Sequence, residues 1–215
     1  MVPFVNANFA DEYHVRPTEV SGAAARDAPE SRPLRADARR NRERILAAAQ
    51  AEFVISGGDA QMDVIAARAG VGVGTVYRHF PTKEALVAQL VHARFEGFVT
   101  SARAALELED PWEAFASFMH ANAASCAADA GTQHAFLQGD PGLGRRVATE
   151  TGLAALSQQL IDRGQAAGVI RPDFSAQDIG MLMCGLASSM THGDSDWDWE
   201  RHLAFVLDGL RARPV

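Results

Sequence analysis

Thr75, Tyr77, Arg78 and His79 crowd into the stretch GVGVGTVYRHFPTKEAL, residues 70 to 86. Two hydroxyls, a guanidinium and an imidazole can all donate hydrogen bonds to phosphate oxygens. On a short helix from Val73 to His79, at about 100° per residue, Val76 and Phe80 fall one turn apart and face inward. The four polar side chains then spread around the exposed arc. Gly74 puts no side chain there and lets the backbone approach a partner closely. Amides at the helix start add a dipole that favours an anion. Pro81 ends the helix and Thr82 caps the next one. Lys83 stands in that helix's first turn, where its charge opposes the dipole and points to another role.

The elements that must position this helix are also helical. Ile45, Leu46, Ala49 and Phe53 share one side of a helix from about Ala36 to Ser56, ended by Gly57-Gly58. Met62, Ile65, Ala66 and Ala69 follow the i, i+3, i+4, i+7 pattern of a short helix closed by Gly70. Helix, short helix, tight turn, short helix is a helix-turn-helix. Beyond residue 35 apolar residues recur at three and four rather than two, so the expected fold class is all-α.

Charge is distributed unevenly within a net of −7. Residues 1–31 carry two basic and five acidic groups, residues 32–95 ten and six, and residues 96–215 eight and 16. Only the middle block is basic, which favours an anionic partner for that segment alone. At 215 residues and 47% hydrophobic the chain can bury a sizeable core. Its apolar runs stop well short of the ~20 residues a membrane span needs, so no membrane partner is expected. The N-terminus lacks the basic start and apolar run of a secretory signal, and cytoplasmic location is expected. Cys126 and Cys184 lie far apart and fit reduced thiols.

Enzyme chemistry finds little support. His120 and Cys126 are six residues apart, about 240° around a helix, and cannot form a local nucleophile and base. Cys184 and His192 share a face but lie about 12 Å apart along it, too far for one metal. The DSDWDWE segment has Asp194, Asp196 and Asp198 at calcium-loop spacing. It lacks the glycine at the sixth position and the closing glutamate, and reads as an acidic loop. No catalytic residues, metal or cofactor are expected.

Residues 38 to 90, from RERILAAAQAEFVISGG through VIAARAGVGVGTVYRHFPTKEALVAQLV, resemble the DNA-binding domain of TetR-type (tetracycline-repressor family) transcriptional regulators. The resemblance implies a homodimeric regulator on a palindromic double-stranded DNA operator, released by a small-molecule effector of the C-terminal helical domain. A regulator that is constitutive or gated by a protein is the alternative. By the same resemblance Thr75, Tyr77 and His79 match positions that contact the DNA backbone, and Lys83 matches a lysine that grips a phosphate. Val73 and Gly74 stand where base edges are approached. Arg78 suits either phosphate contact or plain surface, as do Arg39, Arg40 and Arg42. Two positions depart from the family pattern: Gly72 where serine is usual, and Gln61 where threonine or serine caps the second helix and touches phosphate.

The expected organisation is a disordered leader over 1–34, a helix-turn-helix domain over 35–82, and a ligand-binding and dimerisation domain over 83–215. Helices are expected from Lys83 to about Leu108, then over roughly 111–128, 131–138, 142–167, 176–191 and 197–212. Phe98, Phe115, Met119, Phe136 and Met183 are the candidate lining of a largely apolar effector pocket, and all five equally suit ordinary core. Leu182, Leu186 and Met190 on one terminal helix, with Leu203, Val206, Leu207 and Leu210 on the next, are expected to form an intermolecular four-helix bundle.

Overall fold

The computed structural model describes the backbone of residues 31–192 and 198–212 and the side chains of residues 36–190 and 198–212. The segment of the leader before Ser31 and most of the DSDWDWE loop lie outside the described residues. Residues 31–34, expected in the leader, are already helical. The arginine-rich, glycine-free run that follows extends the first helix backwards.

The elements are α1 (Ser31–Ser56), a 3-10 turn (Gly57–Asp59), α2 (Met62–Ala69), α3 (Val73–His79), α4 (Lys83–Leu106), α5 (Pro111–Ala128), α6 (Ala130–Leu137), α7 (Leu143–Glu150), α8 (Leu153–Ala166), α9 (Ala176–His192) and α10 (Trp199–Leu210). Among the described residues the sole β feature is an antiparallel bridge between Ile170 and Arg211. Side chains set several of the helix starts. Thr82 accepts from the Ala85 amide, Asp110 from Glu113 with Pro111 behind it, and Asp198 from Arg201. Asp178 accepts from both the amide and the hydroxyl of Ser175.

One expected helix is two. The run over 142–167 breaks where Gly152 adopts φ +79°, a left-handed conformation that a side chain would strain. The Thr151 hydroxyl donates to the Val147 carbonyl at 2.7 Å and helps close α7.

Two apolar clusters form. The first gathers Ile45, Phe53, Ile65, Val76, Leu86 and Val91 with Ala135 of α6 and Val147 of α7. The second gathers Phe98, Phe115, Phe118, Met119, Leu160, Ile161, Leu186 and Leu203. α4 contributes to both, its first half to one and its second half to the other. α6 touches α1, the 3-10 turn, α4 and α9. Its contact with α1 is backbone to backbone. A Cβ on Gly131 would come within 2.3 Å of the Phe53 carbonyl oxygen and 2.4 Å of the Val54 nitrogen.

Gly131→Ala therefore has to push α6 off α1, and is expected to cost about 1–3 kcal/mol by the usual penalty for overpacking. Gly97→Ala, with nothing within 4 Å of the new methyl, should be neutral or stabilising. Urea denaturation of the two variants checks the contrast.

Candidate nucleic-acid interface

α3 is held from behind and left open in front. Val76 is fully buried and Phe80 nearly so. Val73 and Tyr77 are 46% and 49% exposed, and Gly74 and Arg78 are exposed beside them. Thr75 and His79 are half-buried, and the His79 Nε2 is enclosed without a hydrogen-bond partner among the described residues. A Cβ at Gly74 would meet nothing within 4 Å, so the packing of the chain does not require glycine there. Gln61 caps α2 in an extended conformation but sends its amide to the Asp59 carbonyl, 2.9 Å away, and no side chain caps α2 or α3.

Several ties fix α3 and its supporting helix against α1. The Glu52 carboxylate, almost fully buried, accepts from the Ser56 hydroxyl at 2.7 Å and from Arg68 of α2 at 3.0 Å. Those two hydrogen bonds, Ser56 first, hold its carboxyl below the usual range against the opposing effect of burial. Arg44 donates to the Gly70 carbonyl at the α2–α3 turn, 3.1 Å, and the Arg42 guanidinium lies 5.5 Å from the Phe80 ring centre. Nothing in the spacing of Arg42 and Arg44 distinguished them from Arg39 and Arg40. Their roles came from the turn that folds back over α1. Arg39 and Arg40 are exposed and paired with Glu43 and Asp37 of the same helix.

Lys83 has a definite structural partner. Its ammonium donates to the Gly58 carbonyl and, at 3.3 Å, to the Ala60 carbonyl, closing the 3-10 turn after α1. The stem is half-buried and one of the three ammonium donors is left over. The charge placed against the dipole of α4 is thus answered by carbonyls from another element.

The effector and dimer candidates separate in space. Phe98, Phe115 and Met119 are buried in the second cluster and Met183 packs against it, but Phe136 packs against the first. The Phe136 ring lies near α7, where a Cβ on Gly144 would come within 3.0 Å of it. Among the described residues, two of the open surface cavities measure about 370 Å³ each. One is lined by residues including Arg171, Phe174 and Met181, the other by residues including His92, Val99 and Glu150, and none of the five candidates lines either.

On the terminal helices Leu186, Leu203 and Leu210 are buried within their own subunit, which corrects their assignment to an intermolecular face. Leu182, Met190, Val206 and Leu207 are half-buried against the same cluster. The opposite face is open: Met181 is 69% and Phe205 62% exposed, beside exposed Gly180, Cys184 and Gly185 on α9 and Ala204 on α10. Its signal was a second apolar face, one residue out of register with the stripe of large residues.

A solvent-facing α3 braced on α1 and α2, followed by an all-helical domain, defines a helix-turn-helix transcription regulator. Residues 45–90 match the family described as bacterial regulatory proteins, tetR family, and residues 110–212 match the one described as transcriptional regulator SbtR-like, C-terminal domain. The TetR transcription regulatory protein of Mycobacterium vanbaalenii is 39% identical over 83% of this chain and 99% of its own, with a TM-score of 0.54. The TetR regulator SCO0520 of Streptomyces coelicolor is 34% identical over 80% and 99%, with a TM-score of 0.55. FadR of Bacillus subtilis, solved in complex with stearoyl-CoA, shares the fold at 21% identity, a TM-score of 0.63, and coverage of 77% and 95%. No curated protein matches the chain. The chain belongs to the TetR family of transcriptional regulators.

Lys83→Met keeps the apolar stem but leaves the Gly58 and Ala60 carbonyls without their donor. It is expected to lower stability by about 1–2 kcal/mol, read by thermal and urea denaturation.

Proposed function

We infer that the protein is a homodimeric repressor that occupies a palindromic operator through α3 and leaves it when a small, largely apolar molecule enters the helical domain. The observation that carries this is the exposed arc of α3. Val73, Gly74, Tyr77 and Arg78 are open to solvent on a helix whose inner side chain, Val76, is fully buried. Val73 suits a thymine methyl in the major groove, Tyr77 and Arg78 suit phosphates, and Gly74 leaves the backbone free to approach. The spare donor of Lys83 suits a phosphate beside the 3-10 turn, and acting on DNA suits the cytoplasm. One seven-residue helix reads few bases, so two half-sites related by a dyad supply the specificity.

The second copy fits the stripe formed by Met181 and Phe205. Both side chains are mostly exposed in the single subunit, and the open space over Gly180, Gly185 and Gly209 allows close helix approach. Release by an apolar effector is supported by the phenylalanine- and methionine-rich second cluster. It is also supported by two fold relatives: FadR, solved in complex with stearoyl-CoA, and KstR2 of Mycobacterium tuberculosis, described as a ketosteroid transcriptional regulator.

On an operator fragment selected from random duplexes, Tyr77→Phe and Gly74→Leu should weaken binding at unchanged melting temperature. Lys83→Met should lower the slope of log K against log salt by about one unit. Anisotropy titrations at several salt concentrations check all three, and a full slope in the Lys83 variant would remove the phosphate contact.

The double substitution Met181→Asp, Phe205→Asp should give folded monomers with greatly weakened operator binding, because neither side chain is part of its own subunit's core. Light scattering with circular dichroism checks it. A tight dimer in this variant would place the interface elsewhere.

A further inference from the structure

A polar seam runs through the junction of α4, α5 and α6. Arg94, midway along α4, has a side chain only 7% exposed. Its guanidinium donates to Gln133 Oε1 at 2.7 Å, to Asp129 Oδ2 at 2.7 Å and to the Asp129 carbonyl at 3.2 Å. Gln133 is 4% exposed and Thr132 fully buried, and the Thr132 hydroxyl has no hydrogen-bond partner among the described residues. Asn122, 3% exposed, meets only the outer limit of a hydrogen bond with the Ser101 hydroxyl, at 3.5 Å.

Folding alone gives poor reason for this set. A buried ion pair returns little of its desolvation cost, and a buried hydroxyl without a partner is destabilising outright. Leucines of similar volume would pack the same seam at no such cost. A guanidinium, a carboxamide and a hydroxyl are, taken together, a receptor for a carboxylate. The apolar surroundings suit the rest of such a molecule. Phe98 lies one turn after Arg94 on α4, and Met119 lies one turn before Asn122 and Ala123 on α5, both in the second cluster.

The present partner of Arg94 is also the one best able to leave. The Asp129 side chain is 22% exposed, at the rim of the seam, and can turn to water, whereas Arg94 cannot. An incoming carboxylate that takes its place keeps the buried cation paired. Asp129 Oδ1 also caps the first turn of α6 through the Thr132 amide, at 3.2 Å, and α6 rests on the α1 backbone at Gly131. Loss of that cap loosens the helix that joins the effector domain to the DNA-binding helices.

We propose that Arg94 is the recognition group for the carboxylate of an amphipathic effector, which binds by displacing Asp129 from the guanidinium. The proposal rests on the effector-released reading above and names the chemical class of that effector.

The test uses the full chain and matched probes below their micellar concentrations: dodecanoic acid, its methyl ester and dodecanol. Calorimetry measures affinity and a labelled operator duplex reports release. Wild type is expected to bind and respond to the acid about tenfold or more better than to the ester or alcohol, the scale of a lost charge-assisted hydrogen bond. Arg94→Met should erase that preference. Asp129→Asn removes the competing charge but keeps a good N-cap, so it should tighten acid binding several-fold, an effect opposite to that of mere structural damage. Equal binding of acid and ester, or weaker acid binding by Asp129→Asn, overturns the proposal. If neutral apolar compounds release the operator and acids do not, the proposal falls while the effector reading stands. If no apolar compound of either kind binds or releases the operator, both fall.

Discussion

Every α-helix ends in carbonyls that no donor of its own can reach, and here long cationic side chains from neighbouring helices reach them. Arg44 of α1 donates to Gly70 at the end of α2, and Lys83 of α4 to Gly58 and Ala60 beyond α1. Arg94 takes the carbonyl of Asp129, where α5 stops and α6 begins. Arg163 of α8 donates to Leu106, Leu108 and Glu109 at the end of α4, and Arg171 donates to Gly209 near the end of α10. Each tie satisfies the orphan groups and also fixes where one helix stops relative to another. In an all-helical chain, whose backbone hydrogen bonds are otherwise local apart from the Ile170–Arg211 bridge, such ties help specify the angles between elements.

α4 and α6 carry the consequence of that geometry. The first half of α4 packs among the DNA-binding helices, its second half packs in the effector domain, and Arg94 sits between the two. α6 is pinned at its start by Asp129 and Arg94 and lies on α1 through a glycine. A change in the effector domain that alters the first turn of α6 therefore meets the α1 backbone directly, with no side chain between to absorb it. Further along α6, His134 and Gln138 lie against Gly57 and Gly58, the turn that Lys83 closes. The same short turn thus faces α4, α6 and the helix-turn-helix.

The three helices of the DNA-binding unit were legible in the sequence because their signals are local. A 3.6-residue apolar period, glycines at the turns and a proline after Phe80 bound α2 and α3 to within a residue, and the polar arc of α3 followed from the same rotation. Thr82, Asp110 and Ser175 were readable as caps because capping needs residues only three positions apart. The break at Gly152 was not readable. A glycine inside an apolar period is compatible with a continuous helix, and only packing α7 against the first cluster and α8 against the second decides otherwise. The start of α1 lay beyond the reach of periodicity, since arginine-rich turns carry no apolar stripe.

Sequence by itself determined the fold class, the helix-turn-helix and the family, since each rests on residue types at short fixed spacings. Tertiary structure decided which face of each helix looks inward. α9 and α10 carry apolar residues on more than one side, and only the packing of α9 against α5 and α8, and of α10 against α5 and α9, buries Leu186, Leu203 and Leu210 while leaving Met181 and Phe205 outside. Phe136 packs against the first cluster for the same reason, through the docking of α6. Lys83 found its carbonyls 23 and 25 residues earlier, and Arg94 found its carboxylate 35 residues later. Hydrogen bonds across such separations depend on how helices cross, and helix crossing is set by the summed fit of many side chains rather than by any local pattern.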